Sequence, residues 1–496
     1  MEATSPMRRF SFSIVLIAAL AASCATVVNP VTGESERTVM DEAAEVAEGK
    51  KAHPEVLAEY GTYNNPRVQA YVNDLGQRLA RQSHRANLQW TFTVLDSPEI
   101  NAFALPGGYV YVTRGIMAYL DSEADLAGVI GHEIGHVTAR HGAQRATRAQ
   151  TAGIGVLAAS VLGAVLGVGN VAGQVAQSAA AGYVASYSRD QELQADQLGA
   201  EYLARNRYNP SNMVDVIGVL KDQERFAADA AKAEGRAAPS GSNWLSSHPS
   251  NDKRLEDIKR IAAGYTGNYG DDGRARYMAA MDGMAFGESR EQGVTRGRNF
   301  YHEGLGFALT APEGFKIVNS ADAITIANAA GDAGLVVKSV PPKAGTTHDA
   351  IIRNVFKPTD TPRTDTRTLN GLSATHVVGT RRNSQGRAQA FEATIVSGPS
   401  EQHYALLYAA RDAATMQRAA PALREIETSF RALSAADRNA AKPWTLKTVP
   451  FPRGGFAELA RRSPLPTRAE QQLRLINGVY GSTSDPQPGQ PVKIVE

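Results

Sequence analysis

Apolar residues recur at three- and four-residue spacing through "NPRVQAYVNDLGQRLARQSH", where Val68, Tyr71, Val72, Leu75 and Leu79 share one face, and this spacing predicts a helix. "DEAAEVAEGKKAHPEVLAEYG" upstream reads the same way, so Asn29 to about Glu99 is expected to be mainly helical. The period then changes. "WTFTVLD" and "NAFALPGGYVYVTRG" alternate or run apolar, which predicts strands from Trp90 to Thr113 with a hairpin at Pro106, Gly107 and Gly108. Helical spacing returns in "DSEADLAGVIGHEIGHVTARHG", where Asp121 or Ser122 suits an N-cap and the acidic first turn complements the helix dipole. "QELQADQLGAEYLARN" and "PSNMVDVIGVLKDQERFAADAAKAEG" are further helices, "GRAAPSGSNW" is a loop, and "SSHPSNDKRLEDIKRIAAG" is a loop running into a helix. Past about Gly293 short strand patterns dominate, among them "GLGFALTAPEGFKIV", "AITIANAAGDAGLVVKSV", "ATHVVGTRR", "QAFEATIVSG" and "QHYALLYAAR", closed by a helix in "MQRAAPALREIETSFRAL". No repeat of solenoid length is present.

Residues 149–188 carry no charged side chain. A single membrane crossing there would put the two histidines of "HEIGH" and the acidic segment after Arg189 on opposite sides of a bilayer. Two packed or surface-lying helices rich in alanine and glycine are therefore expected, a membrane hairpin being the other reading; such helices could cover a site or receive an unfolded substrate. Composition is that of ordinary globular protein, 43% hydrophobic and 21% charged over 496 residues. With 52 basic against 50 acidic residues and a net charge of +2, there is no electrostatic case for nucleic acid.

Arg8 and Arg9 precede an apolar run from Phe10 to Ala22, the pattern of an export signal. Cys24, the single cysteine, excludes an intrachain disulfide. "LAASC" resembles a bacterial lipobox, with Ala21 where leucine is preferred, which implies lipidation of Cys24; cleavage of an ordinary signal peptide nearby is the alternative. Ala25 after the cysteine is similar to lipoproteins sorted to an outer membrane.

The chemistry concentrates in "HEIGH". His132 and His136 are one helical turn apart, so both imidazoles can reach one metal ion, and Glu133 can take a proton from a water held there. A catalytic zinc takes three protein ligands and leaves one position open. The third is sought in "RDQELQADQLG", where Glu192 can supply a carboxylate oxygen and Asp196, one turn on, can accept the outer N–H of a ligand histidine. A merely solvated acidic face is the competing reading of that pair.

"NAFALPGGYVYVTRG", "EADLAGVIGHEIGHVTARHG", "YSRDQELQADQLGAEYL" and "SSHPSNDKRLEDI", in that order, resemble the M48 metallopeptidases, which include Ste24-type and HtpX-type enzymes; the likeness covers about Glu42 to Ala263. It implies one Zn2+ per chain on His132, His136 and Glu192, with Glu133 as general base and Asp196 behind the ligands. It further implies that His248 stabilises an oxyanion or approaches the metal, that Arg254 stands behind it, and that the strand Asn101, Ala102, Phe103, Ala104 pairs with an extended substrate. A loop histidine before proline could equally cap the next helix. The fold class expected is α+β: a signal peptide (1–24), a mainly helical gluzincin-type protease domain with a small sheet (25–292), an α+β domain loosely resembling PsbP (293–436), and a small module resembling LysM (437–496). TPR repeats found in some relatives are not seen. The function implied is zinc-dependent endoproteolysis of unfolded or misassembled envelope proteins, the alternative being an envelope chaperone or assembly factor with a latent protease site. The location implied is the periplasmic face of the outer membrane through a lipid on Cys24, or the soluble periplasm. Peptidoglycan is a partner only if the last module binds glycan; plain packing is its other reading.

Overall fold

The structure, a computed structural model, describes residues 25–151, 187–233, 235, 248, 252–320, 323–383, 386–482 and 484–496. Cys24 and nearly all of 149–188 lie outside these residues, so the expectations made for them have no structural counterpart here. No helix of the described residues is long and apolar enough to cross a membrane.

The described residues open with a hairpin, β1 (Ala25–Val28) and β2 (Ser35–Thr38), of which β2 falls in the stretch from Asn29 expected to be mainly helical; four-residue strands are too short for their alternation to be visible. Then follow α1 (Glu42–Tyr60) and α2 (Pro66–Arg81). Asn65 caps α2 by accepting from the Val68 N–H, proline sits at its first position, and Val68, Val72, Leu75 and Leu79 are fully buried. The small sheet holds β3 (Thr91–Leu95), β4 (Ala102–Leu105) and β5 (Tyr109–Thr113) in the order β3-β5-β4, with β3 parallel and β4 antiparallel to β5. Gly107 and Gly108 close the hairpin at φ 82° and 98°, and a Cβ on Gly107 would lie 2.7 Å from the Val46 backbone, so the turn demands glycine.

After α3 (Arg114–Tyr119) comes α4 (Glu123–Thr138), buried along its whole length. Its start is a capping box between Ser122 and Asp125. Helices α5 (His141–Thr151), α6 (Arg189–Arg205) and α7 (Asn212–Ala233) pack against it together with α2, and α8 (Asp252–Ala263) packs on α6 and α7. The α4–α6 contact is made through small residues. A Cβ on Gly131 would sit 3.4 Å from the Gly199 Cα, and one on Gly135 would sit 3.0 Å from the Ala195 carbonyl oxygen. The two backbones therefore run close enough for short side chains to meet, which sets up the site described below.

Helix α9 (Arg274–Met281) and β6 (Ala285–Phe286) lead to a second body with its own apolar clusters. Strands β7 (Val294–Arg296), β8 (Asn299–His302) and β9 (Phe307–Thr310) form a small sheet that β17 (Arg431–Ala432) completes. The remaining strands are β10 (Phe315–Ser320), β11 (Ala323–Asn328), β12 (Ala333–Ser339), β13 (Arg363–Leu369), β14 (Leu372–Arg382), β15 (Ala388–Ser397) and β16 (His403–Ala410). They make an antiparallel sheet in the order β10-β11-β12-β16-β15-β14-β13. The short α10 (His348–Ile351) packs on β15, and α11 (Ala413–Ser429) lies across β12 and β16. Strand β13, "RTDTRTL", is mostly exposed and polar, so its apolar pattern gave no warning of it.

The final piece runs α12 (Ala435–Ala440), β18 (Trp444–Pro450), α13 (Gly455–Ala460), α14 (Ala469–Ile476) and β19 (Pro491–Val495). Among the described residues, the piece expected as a small module over 437–496 packs its apolar side chains into the core of the protease body. Leu446, Phe456, Leu473, Ile476 and Val492 join the same apolar cluster as Leu126 and Ile130 of α4, and β18 pairs with both β19 and β6. Fully burying each such side chain contributes about 1.5–3 kcal/mol, which a piece this small could not gather alone.

Candidate metal centre

One turn of α4 presents His132 and His136, and one turn of α6 presents Glu192 and Asp196. Because the helices meet at glycines, the side chains converge. The Nε2 atoms of His132 and His136 are 3.0 Å apart, and Glu192 Oε1 lies 3.4 Å from His136 Nε2, with Oε2 3.7 Å from His132 Nε2. His248 joins them, its Nδ1 3.1 Å from His132 Nε2 and 3.0 Å from Glu192 Oε1. His132, His136, Glu192 and His248 are all buried, and each offers one donor atom within 4.8 Å of the others. Three imidazole nitrogens and one carboxylate oxygen, shielded from solvent and lacking thiols, fit a divalent metal ion of the zinc type.

The outer atoms are also engaged. His132 Nδ1 is 2.9 Å from Asp196 Oδ1, which orients that ring. His136 Nδ1 is 2.9 Å from His141 Nδ1, and His141 Nε2 is 2.9 Å from Gln194 Oε1. Arg254 Nε donates to Asp196 Oδ2 at 2.6 Å, its Nη1 lies 2.9 Å from Glu192 Oε2, and the same Nη1 donates to the His248 carbonyl at 3.0 Å. One guanidinium thereby ties both acidic side chains to the His248 loop. The Tyr187 ring stacks on His136 with centroids 3.8 Å apart.

Burial is the largest single influence on each of these groups, but it sets the direction only for His136 and His141. It pushes His136 well below the ordinary histidine value and His141 down to about 4, favouring neutral rings of the kind a metal requires. For Glu192 burial acts upward, but the charge of His248 and hydrogen bonds with His136 and His248 prevail and hold the carboxyl well below its usual range. Asp196 is likewise held low against burial by Arg254 and His132. His248 is raised, burial being outweighed by the charges of Glu192 and Glu133.

Glu133 is buried, with Oε1 3.5 Å from His248 Nε2. Asn101, Ala102, Phe103 and Ala104 lie along the start of β4, which among the described residues pairs only with β5 and is buried throughout. The pocket beside His136 is lined by Ala104, Leu105 and Pro106 at the end of that strand, and by Arg140, Arg145, Tyr187 and Glu45. Of the residues expected from the sequence, His132, Glu133, His136, Glu192, Asp196, His248 and Arg254 meet in this cluster and Ala104 lines the pocket beside His136, while Asn101, Ala102 and Phe103 lie earlier along the same stretch of chain. Three were not foreseen: His141, Tyr187 and Arg140. His141 stood in plain view five residues after His136, and helical spacing alone gives no reason to turn it back.

Residues 66–262 match the model of Peptidase family M48. The chain is 30% identical over 241 residues to the Beta-barrel assembly-enhancing protease of Yersinia pestis, covering 47% of each protein. It is 32% identical over 215 residues to the Mitochondrial metalloendopeptidase OMA1 of Schizosaccharomyces pombe, covering 42% of this chain and 58% of that protein. The chain thus spans about half the length of the curated relatives it matches. A solution structure of cyanobacterial PsbP from Synechocystis sp. PCC 6803 aligns with 28% of this chain and 98% of that one, at 13% identity and a TM-score of 0.21.

Proposed function

We propose that this chain, through its peptidase family M48 domain, is a zinc-dependent endopeptidase acting on unfolded or misassembled proteins of the cell envelope. The observation that carries the reading is the meeting of His132, His136 and Glu192, from two helices far apart in sequence, with Glu133 beside them. A bound zinc ion supplies a Lewis acid and brings the pKa of a water molecule to near neutrality. Glu133 accepts the proton of the attacking water and hands it to the leaving amine. Asp196 and His141 hold the ligand rings in place, and Arg254 fixes Glu192 and Asp196 together. Strand β4 offers main-chain groups to an extended substrate, a mode of binding that reads little side-chain sequence and suits unfolded chains.

Names of the matched relatives, a protease that enhances β-barrel assembly and a mitochondrial metalloendopeptidase, support an envelope-type substrate. Export by the amino-terminal signal, with a lipid on Cys24 holding the protein at the periplasmic face of an outer membrane, belongs to the same reading. For residues 444–495 the shared core supports a packing role over glycan binding, and sedimentation with insoluble peptidoglycan decides between them.

Glu133→Gln tests the proposal: the variant is expected to bind one zinc per chain by elemental analysis and to lose casein cleavage by several orders of magnitude. Parent-like cleavage would remove Glu133 from its role.

The second reading, a chaperone or assembly factor with a latent protease site, is favoured by one observation. His248 stands among the donors, where it would take the place left for water were a zinc ion bound. His248→Ala separates the roles: faster casein cleavage marks a latent site, and a loss of about tenfold or more marks an oxyanion contact.

A further inference from the structure

A second cavity, of about 430 Å3, lies between the protease body and the second body. Its wall on the protease side includes Gly61, Thr62 and Asp96, at the edge of the small sheet where Thr62 bridges to Leu95 of β3. Because the strands run in the order β3-β5-β4, this is the edge away from β4. The other wall is made of strand ends of the second body, with His302 closing β8, Asn319 near the end of β10, Ile324 near the start of β11 and Ser339 closing β12. A cleft of this size at the boundary of two bodies is a common place for a ligand.

Two side chains of this lining each leave one polar atom without a hydrogen bond. His302 is 9% exposed, and its Nδ1 accepts from the Leu305 N–H at 3.2 Å, so the ring proton sits on Nε2. That Nε2–H has no hydrogen-bond partner among the described residues, and burial pushes the ring down to about 4, which keeps it a neutral donor at neutral pH. Asn319 gives its Nδ2–H to the Gln292 carbonyl at 2.7 Å, while its Oδ1 is buried without a donor. An unmet donor and an unmet acceptor are costly unless an occupant meets them. Leu305, Ala323 and Ile324 supply an apolar floor. Among the described residues no lysine or arginine lines the cavity; its Asp96 is already held by Arg114 at 2.6 Å, and its Glu291 is exposed.

Resting on the protease reading above, we propose that this cavity is an exosite that takes an extended, apolar and uncharged stretch of the unfolded substrate, away from the bond that is cut. A peptide group offers a carbonyl to the Nε2–H of His302 and an N–H to the Oδ1 of Asn319, the complementary pair that the cavity leaves open. An apolar side chain on that stretch covers the floor. An acidic stretch finds no cation in the lining and leaves its carboxylate desolvated. Strand β4 and the cavity stand at opposite edges of the small sheet, so a long chain can engage both, whereas a peptide just long enough for the four residues of β4 engages the metal side alone. Two contacts joined by one chain raise its affinity above that of either, and the cavity thereby selects long, apolar, unfolded chains.

The test uses the zinc-loaded full chain and compares casein with a hexapeptide as kcat/KM. Ser339→Trp places a large ring in the cavity from an exposed position, and His302→Phe keeps a ring but removes the donor. Both substitutions are expected to lower casein cleavage about tenfold relative to the hexapeptide, chiefly through KM. Binding is read without turnover on the Glu133→Gln protein, with a labelled, neutral, apolar nonapeptide while excess hexapeptide fills the metal side. Each substitution, and aspartate at the centre of the nonapeptide, is expected to weaken that binding by about tenfold or more. Parent-like values of both readouts in Ser339→Trp overturn the proposal. So does a nonapeptide that does not bind, or one that binds equally well with aspartate. Should the nonapeptide bind and Ser339→Trp abolish the binding while the parent cuts neither substrate, the protease reading fails and the cavity stands. Casein cut by a parent that binds no nonapeptide has the reverse meaning. If His302→Phe does not fold, Ser339→Trp decides.

Discussion

His132 and His136 differ in what holds their outer nitrogens: a carboxylate for the first, another histidine for the second. A carboxylate both orients an imidazole and raises its basicity, whereas neutral His141, relayed to Gln194, can do little more than orient. Removing that support with His141→Ala is expected to weaken zinc binding about 10- to 100-fold, measured against a competing chelator, with the fold intact by circular dichroism. Unchanged affinity would show that His136 needs no partner. Legibility in sequence follows the same physics. His132, Glu133 and His136 were readable because one helical turn joins them, and Glu192 with Asp196 because the same turn recurs. His141 and Tyr187 reach the site by leaving the helical repeat, and Arg140 by a left-handed backbone; periodicity records neither event.

What makes the helix pair work is the absence of side chains. Gly135 faces the Ala195 carbonyl so closely that a methyl group would lie 3.0 Å from a backbone oxygen unable to swing aside. Gly135→Ala is accordingly expected to cost about 1–3 kcal/mol in urea unfolding and to loosen zinc as α6 backs away from α4, carrying Glu192 with it. A variant as stable as the parent would show that the interface can relax. A different adhesive joins α11 to its sheet. Glu427 of α11 is fully buried, accepting from Tyr408 at 2.8 Å and Arg367 at 2.7 Å, with His376 Nδ1 3.8 Å away. The carboxylates of Glu392, 3.4 Å from its Nε2, and of Glu427 push His376 up to about 9. A histidine raised in the folded state stabilises most below its ordinary value of about 6.5 and loses that contribution as pH climbs through about 9. Unfolding at pH 6.5 and 9.5 should therefore show the second body weakening on the alkaline side, and His376→Gln should remove that slope. The strands here were legible where one face is apolar; β13 was not, since both its faces carry polar residues.

At the scale of the molecule, the last strand reaches the start of the metal-bearing helix. Lys493 of β19 is 1% exposed; its Nζ donates to the carbonyls of Ala118 and Leu120 at 3.1 and 2.6 Å and lies 3.4 Å from Asp121 Oδ1. Those residues form the corner between α3 and α4, and Asp121 is also paired with Arg274 at 2.8 Å. Nothing in "PVKIV" sets its lysine apart from a solvent-facing residue, so neither the burial nor the shared core could be read in advance. Burial lowers the Lys493 pKa, and the carbonyls with Asp121 keep the ammonium solvated in place of water. Lys493→Met keeps most of the length and removes every donor. Asp121 would retain Arg274, but the two carbonyls would be left in an apolar setting, and the expected loss is about 2–4 kcal/mol in urea unfolding. Because the corner orients α4, zinc should also dissociate faster from this variant, while a surface change such as Lys447→Met at the neighbouring exposed pair with Glu496 should move neither quantity. Parent-like stability and zinc retention in Lys493→Met would mean that the carboxyl-terminal piece merely rests against the protease body.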